Sequence, residues 1–538
     1  MVTEIELKYS LLENHELVTS EQIKTKVSEL LSEHKLTFAH QEKQLSNHYF
    51  DTPDLALRKS RVALRTRGTK CFGENENFEQ TVKTSGTIIA GLHQRPEYNV
   101  DIDDEKPIVA LFPHTVWQPQ TNIKQLQQQI VELFSTNFTR HTWLVNVDNA
   151  QVEIAFDCGE IACQNYADKP RIYEIELELV SGDTQALFVL TKLLFSQLLL
   201  RPGQLTKAAR GYALYHESTT SGSDVDVKVA NESAIVEQIS LSMIEIPKDS
   251  RLDNAFTHGI EYSLTQLQLC VDRYVDASSV ERLNKLNKVS EFLVLLRQGF
   301  WLFNEILTDD EIALRAELSY FIRTITWVDN ARYIQSLTSK KSSYQKETSV
   351  NQELITKLQL TQIRYPSESK VLALLHSERF NNLQVNLLSL LLKRHSGNTS
   401  TVCNYPSLVD FAANHLNNST KAICYELSQL KQPQCSLPIE RYLTAHGLLI
   451  RALVTSSWFS CLFTEPQSDQ IKRFNMPWLD IKQGISELQS LTILQQQLVH
   501  LPKPETKLAL WLTNKSENLI TALEQSKSKA LTMKPYWS

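Results

Sequence analysis

The chain opens Met1-Val2-Thr3-Glu4-Ile5-Glu6-Leu7-Lys8-Tyr9-Ser10, and the reading of this stretch governs the rest. Polar and apolar residues alternate with period two, the spacing at which a strand places i, i+2 and i+4 on one face. Glu4, Glu6 and Lys8 therefore share one face, and Ile5, Leu7 and Tyr9 share the other, which can pack in a core. Neighbouring carboxylates repel and need a compensating charge. A lysine across a surface sheet supplies one; so does a hard divalent cation with oxygen ligands. For this strand alone the surface explanation is the simpler, but the same pattern returns downstream.

Further candidate strands lie at Gln44–Asp51, Arg61–Gly68, Asn77–Thr84, Gln94–Asp101, Arg140–Asp148, Gln151–Cys158 and Ile172–Val180, with helices near Ser20–His34, Thr184–Leu199 and Thr206–Tyr215. Eight mainly antiparallel strands with few helices predict a closed or nearly closed barrel. The charges keep one parity. Arg61, Arg65 and Arg67 oppose Val62 and Leu64; Glu79, Thr81 and Lys83 share a face; Arg95 and Glu97 oppose Tyr98 and Val100. Glu153 and Asp157 oppose Val152, Ile154 and Phe156, and Glu174, Glu176 and Glu178 oppose Ile175, Leu177 and Leu179. A sheet with one wet face carries a mixture of Ser, Thr, Gln, Lys and Glu. Here that face is nearly all ionised, and sorted by sign. Turned inward, it makes a charged tunnel. Unpaired buried charge is costly, so such a lumen needs ligands. Acidic clusters suit Mg²⁺ or Mn²⁺; arginines and lysines suit phosphate oxygens. A metal-bound polyphosphate needs both.

At 538 residues the chain is too long for one ordinary domain. Residues 1–216 are read as the catalytic tunnel domain, 217–234 as a linker rich in Ser, Thr and Gly, and 235–538 as an all-α domain. In the helical part Leu286, Val289, Leu293, Leu296, Phe300, Phe303 and Leu307 step by three and four, one apolar helix stripe. The eight cysteines are scattered without a C-x-x-C pair, which argues against a zinc ribbon or a disulfide framework and fits a reducing compartment. The net charge of −6, all of it in the first 215 residues, gives no support to nucleic-acid binding. The best membrane candidate, Ala186–Leu200, is short and holds Lys192. With no apolar leader visible, a cytoplasmic location is expected.

Glu4-x-Glu6-x-Lys8 resembles the N-terminal signature of the CYTH superfamily, the triphosphate tunnel metalloenzymes. Gly91-Leu92-His93-Gln94-Arg95-Pro96-Glu97-Tyr98, Ser181-Gly182-Asp183 and Leu205-Thr206-Lys207-Ala208-Ala209-Arg210-Gly211-Tyr212 narrow the likeness to bacterial inorganic triphosphatases in which a CYTH domain precedes a CHAD domain. The resemblance implies metal ligands among Glu4, Glu6, Glu97, Glu153, Asp157, Glu174, Glu176 and Glu178. It implies phosphate ligands in Lys8, Arg65, Arg67, Lys83, Arg95, Arg140, Lys207 and Arg210, with Glu4, Glu6, Lys8, Lys83 and Asp157 at the catalytic centre and Mg²⁺ or Mn²⁺ as cofactor. Lys207 and Arg210, three apart, share a helix face and could close one end of the tunnel. No Ser/His/Asp or Cys/His nucleophile is evident; His48 and His93 read as packed or solvated, and Asp51 as a cap of the turn before Pro53.

The implied activity is hydrolysis of inorganic tripolyphosphate to pyrophosphate and phosphate. Alternatives are an organic triphosphate such as thiamine triphosphate, adenylate cyclisation, or a non-catalytic polyphosphate-binding scaffold. The helical half resembles a CHAD domain, a family associated with polyphosphate binding. His446 with Arg451 is a partial echo of its basic pattern, while Arg282, Lys285 and Lys288 at helical spacing read more simply as a solvated face. Multiple phosphate contacts need a local excess of Lys and Arg, which this near-neutral half does not offer.

Overall fold

The computed structural model describes residues 2–12, 19–71, 73, 75–164, 166–203, 205–220, 242–339, 344, 351–395, 397, 407–429, 439–464, 469–501 and 506–537. The chain divides into two compact units: Met1–Val229 with Leu372–Val385, and Ala230–Val371 with Asn386–Ser538. Most of the expected linker, residues 221–234, lies outside the described residues.

The first unit is built on ten strands: β1 (Val2–Leu11), β2 (Thr37–Asp51), β3 (Ala63–Cys71), β4 (Asn77–Lys83), β5 (Thr87–Ile89), β6 (Leu92–Ile102), β7 (Val131–Val147), β8 (Ala150–Cys163), β9 (Arg171–Ser181) and β10 (Leu200–Pro202). Their order is β10-β1-β9-β8-β7-β2-β3-β4-β6-β5, and β1 also pairs with β6. That last pairing closes eight antiparallel strands into the expected barrel; the three-residue β5 and β10 pair only with β6 and β1. Three strands run well beyond their expected bounds. β2 and β7 start at Thr37 and Val131, where the inward face is no longer ionised and the charged parity fades.

The barrel keeps its oil outside. Leu7 and Tyr9 are buried on the outer face of β1, and Tyr9 meets Phe195 of α4 (Gln185–Phe195) edge to face at 5.3 Å. Helix α1 (Ser20–Glu33), followed along the chain by α2 (Ala56–Lys59) and α3 (Ile123–Gln129), begins in a capping box at Thr19 and Gln22, and its Ser28 Oγ accepts from Trp143 Nε1 at 3.0 Å. Over β3 and β4, Leu64 and Val82 pack beneath Val109, Phe112, Trp117 and Leu126. The inward face changes character along the barrel. At one end Leu45, Tyr49, Phe134, Phe138, Ile161 and Ile172 fill it, covered by Tyr212. Tyr212 belongs to a helix over Lys207–Thr220 (here α5), which runs past residue 216 into the expected linker. A methyl group on Gly211 would lie 2.1 Å from the Phe134 ring, so glycine is what lets α5 seat on this end. The tunnel is therefore blind on the α5 side.

The second unit is helical. Of the apolar stripe expected from Leu286 to Leu307, the residues up to Phe303 are buried on the helix Arg282–Leu302 or just past it, and Leu307 is half-buried beyond its end. Trp458 is its wedge. Cβ atoms at Gly259 and Gly299 would lie 1.9 and 2.3 Å from the indole, whose Nε1 donates to Leu295 O at 3.0 Å. Arg394 grips Glu311 with bonds of 2.8 and 2.7 Å. Of the expected basic stripe, Arg282 pairs with Glu368 and Lys288 with Glu291, so both charges are already answered. Among the described residues no helix is long and apolar enough to cross a membrane.

Candidate functional site

The lumen is assembled from cross-strand neighbours. β1 places Glu4 opposite Arg95 and Glu6 opposite His93 on β6, and on its other side Glu6 opposite Glu178 and Lys8 opposite Glu176 on β9. Glu178 in turn faces Glu153 on β8, and Asp157 faces both Glu174 and Arg140. β3 sets Arg65 against Tyr49 and Arg67 against Asn47, and β4 sets Lys83 against Glu97. All sixteen residues proposed from sequence thus belong to one barrel or to the helix that stops its end. Within it they fall into three groups.

The first lies next to the apolar plug, and its acids and bases are paired with one another. Arg140 makes a bidentate pair with Asp157 (2.7 and 2.6 Å) and reaches Glu176 at 2.7 Å. Lys207 Nζ is 2.6 Å from Asp157, 2.5 Å from Glu174 and 2.9 Å from Glu176. Lys8 lies 2.6 Å from Glu176, and Arg210 lies 3.4 Å from Glu174. Burial alone would favour the neutral forms. Here it is outweighed: Arg140 and Lys207 hold Asp157 below the usual carboxylate range, as do Lys207, Lys8 and Arg140 for Glu176. The same contacts hold Lys8 above the usual ammonium range despite its burial. Oxygens of Asp157, Glu174 and Glu176 come within 4.8 Å of one another, a spacing a metal could use, but the Lys207 ammonium and the Arg140 guanidinium already lie against them.

The second group is the reverse. Glu6, Glu153 and Glu178 sit on three adjacent strands and make no ion pair among the described residues. Burial together with Glu4, Glu153 and Glu6 pushes Glu178 up to about 7, against the weaker pull of Lys83. Glu4 is likewise raised, by burial and by Glu6 and Glu97, although Lys83 lies 2.5 Å from it. Lys83 also touches Glu97 at 3.3 Å; burial would raise Glu97, but Lys83 and Arg65 hold it low. Adjacent all-oxygen carboxylates without a cation form a donor set suited to a hard divalent ion.

The third group is cationic. Arg67 and Arg95 pair with no carboxylate among the described residues. Burial, with Arg65 and Arg140 nearby, pushes Arg67 down to about 10. Its Nε donates to Asn47 Oδ1 at 2.7 Å, and Asn47 is fully buried and anchored through Nδ2 to Thr136. Among the described residues Arg65 ion-pairs only with Glu97, at 3.4 Å, and its Nε has no hydrogen-bond partner.

Two lumen residues escaped the sequence reading. Asn47 carries no charge, so a search for ionised parity passes over it, yet it aims Arg67. His93, expected to be packed or solvated, is packed but faces the lumen, and burial pushes its imidazole down to about 4. His48 is half-buried and bonds Glu132 at 2.9 Å. Asp51 behaves as expected: its carboxylate accepts from the amides of Thr52, Leu57 and Arg58 and caps the short helix Ala56–Lys59.

Comparison with known proteins agrees with this geometry: residues 3–212 match the family model described as the CYTH domain. Over 220 residues the chain is 36% identical to the inorganic triphosphatase of Haemophilus influenzae, a match covering 40% of this chain and 55% of that protein. The chain thus spans about half the length of this curated relative. Among solved structures, a Hippeastrum protein described as an adenylyl cyclase homologue with a dominant triphosphatase activity covers 39% of this chain and 95% of its own, with 16% identity and a TM-score of 0.27. A CHAD domain from Ricinus communis covers 55% of this chain and 97% of its own, with 14% identity and a TM-score of 0.38. In this barrel the Glu4-x-Glu6-x-Lys8 strand links all three groups. Glu4 and Glu6 face the unpaired acids, and Lys8 reaches the paired cluster.

Proposed function

We propose that the tunnel hydrolyses inorganic tripolyphosphate to pyrophosphate and phosphate, dependent on a divalent cation. The observation that carries this reading is the charge left over inside the lumen. Among the described residues Glu6, Glu153 and Glu178 pair with no cation, and Arg67 and Arg95 pair with no anion. A compact ligand that brings a metal and phosphate oxygens together answers both.

A cation held by Glu6, Glu153 and Glu178, with Glu4 beside them, would supply Lewis-acid polarisation of a phosphoryl oxygen and a bound water of lowered pKa. The side chains of the chain do the rest. Arg67, aimed by Asn47, and Arg95 take non-bridging oxygens and offset charge that builds on them in a loose transition state. Arg65 and Lys83, held by Glu97, extend that row. Lys8, Arg140, Lys207 and Arg210 contribute four cations against the three carboxylates Asp157, Glu174 and Glu176, so the far wall stays net positive. The aromatic plug behind this wall excludes water from that side.

The test is phosphate release from tripolyphosphate, ATP and thiamine triphosphate with Mg²⁺, Mn²⁺ or EDTA. Release from tripolyphosphate that needs metal and exceeds release from both organic substrates is the expected result. Faster turnover of an organic triphosphate would move the assignment to that class, and no release from any of the three would leave a binding scaffold.

A further inference from the structure

His93 has a feature that the proposed chemistry does not use. It is 1% exposed, lies on the lumen face directly opposite Glu6, and its Nδ1 is 3.1 Å from Arg95 Nη2. A guanidinium can only donate, so Nδ1 must accept and the ring proton must sit on Nε2. Nε2 is buried and has no hydrogen-bond partner among the described residues. A protein seldom leaves a buried donor unanswered without a reason, because the lost hydration is not repaid.

The surroundings identify the acceptor. The strand register sets the ring across from Glu6 on β1, with Lys8 two residues further along that strand and Arg95 two residues along its own, which places it between the acidic group and the Lys8 side of the lumen. A cation at this position would be captured by the carboxylates, as Lys83 is by Glu4 and Glu97. It would also repel a metal. A neutral N–H does neither and still bonds an anionic oxygen. We propose that His93 contacts the substrate, its Nε2–H donating to a non-bridging oxygen of bound tripolyphosphate while its Nδ1 holds Arg95 in place. This inference rests on the tripolyphosphate reading and names a residue that reading lacks.

Two substitutions separate the two ring nitrogens. Glutamine places an amide donor near the Nε2 position but gives up the Arg95 contact; asparagine can keep an acceptor near Nδ1 but gives up the Nε2 donor. Tripolyphosphate affinity is read by calorimetry in EDTA, with KM and kcat in Mg²⁺ beside it. A lost hydrogen bond to a charged group predicts that His93→Asn weakens binding about 10- to 100-fold, whereas His93→Gln stays within about threefold of wild type. The opposite order would make His93 an anchor for Arg95 only, and wild-type affinity in both variants would make it a packed core residue; either result overturns the proposal. Should the asparagine variant not fold, imidazole ¹⁵N spectra of the wild type read the same contact. The His93 Nε2 resonance should shift when tripolyphosphate is added, and an unmoved resonance at saturation would overturn it. Wild type that neither binds nor cleaves tripolyphosphate defeats the functional reading instead, so the two failures are distinguishable.

Discussion

Asn47 accepts a 2.7 Å hydrogen bond from Arg67 Nε, and no carboxylate among the described residues takes its place. Arg140, on the same inner surface, is gripped by Asp157 and Glu176. One arginine is positioned by a neutral amide and stays available; the other is consumed by the protein. The contrast sets the expected behaviour of the two.

Arg67→Ala should raise KM for tripolyphosphate by about tenfold or more, the scale of a charge-assisted bond to phosphate. The thermal midpoint of the free protein should hold or rise, since a half-buried cation with no carboxylate partner among the described residues has gone. Asn47→Leu should raise KM in the same direction by leaving Arg67 unaimed. A collapsed midpoint with unchanged KM in Arg67→Ala would make Arg67 structural.

Arg140→Met should behave in the opposite way. It leaves Asp157, which is fully buried, with Lys207 as its remaining partner. Breaking a buried pair by removing one member typically costs ~3–5 kcal/mol. Denaturant melts of the full chain should show a loss of that order in the barrel unit. A stable variant with only a KM defect would show that Arg140 is a free substrate ligand.

Glu178 gives a pH dependence. Burial with Glu4, Glu153 and Glu6 raises it to about 7, with Lys83 the one opposing cation. The folded state therefore binds this proton more tightly than the unfolded chain, whose glutamate titrates near 4.3. Between that value and about 7 the folded protein holds more protons, so its stability falls as pH rises through this window. In EDTA the thermal midpoint should drop from pH 5 to pH 7.5, and Glu178→Gln should flatten the drop. Mg²⁺ should raise the wild-type midpoint at pH 7.5 and raise that of Glu178→Gln less. An equal rise in both would remove Glu178 from the metal ligands.

Gly211→Ala tests the stopper. The added methyl would lie 2.1 Å from the Phe134 ring, so α5 must lift or the plug must shift. Overpacking of this kind typically costs ~1–3 kcal/mol. Turnover should fall because Lys207 and Arg210 withdraw with the helix. Full activity with an unchanged midpoint would show that the α5 seat does not position them.

The sequence by itself determined the barrel and its inner face, because strand parity is rigid: a charge every second residue fixes which side it points to. It also determined the helical character of the second half, whose apolar stripes can only be buried. It could not show that Phe134 and Phe138 stop the tunnel, since both precede the strand expected from Arg140 and carry no charge to mark the inner face. Helical periodicity likewise says that a face is buried without saying against what, so the grouping of Leu372–Val385 with the first unit was not legible. Most of all, sequence could not say which charges cancel. Asp157 and Glu178 look alike on paper, each one carboxylate in an acidic strand pair. Across neighbouring strands Asp157 meets Arg140 and Glu178 meets Glu6 and Glu153. Coulomb energy depends on separation in space, so only the closed barrel decides which acids are satisfied and which remain to hold a metal.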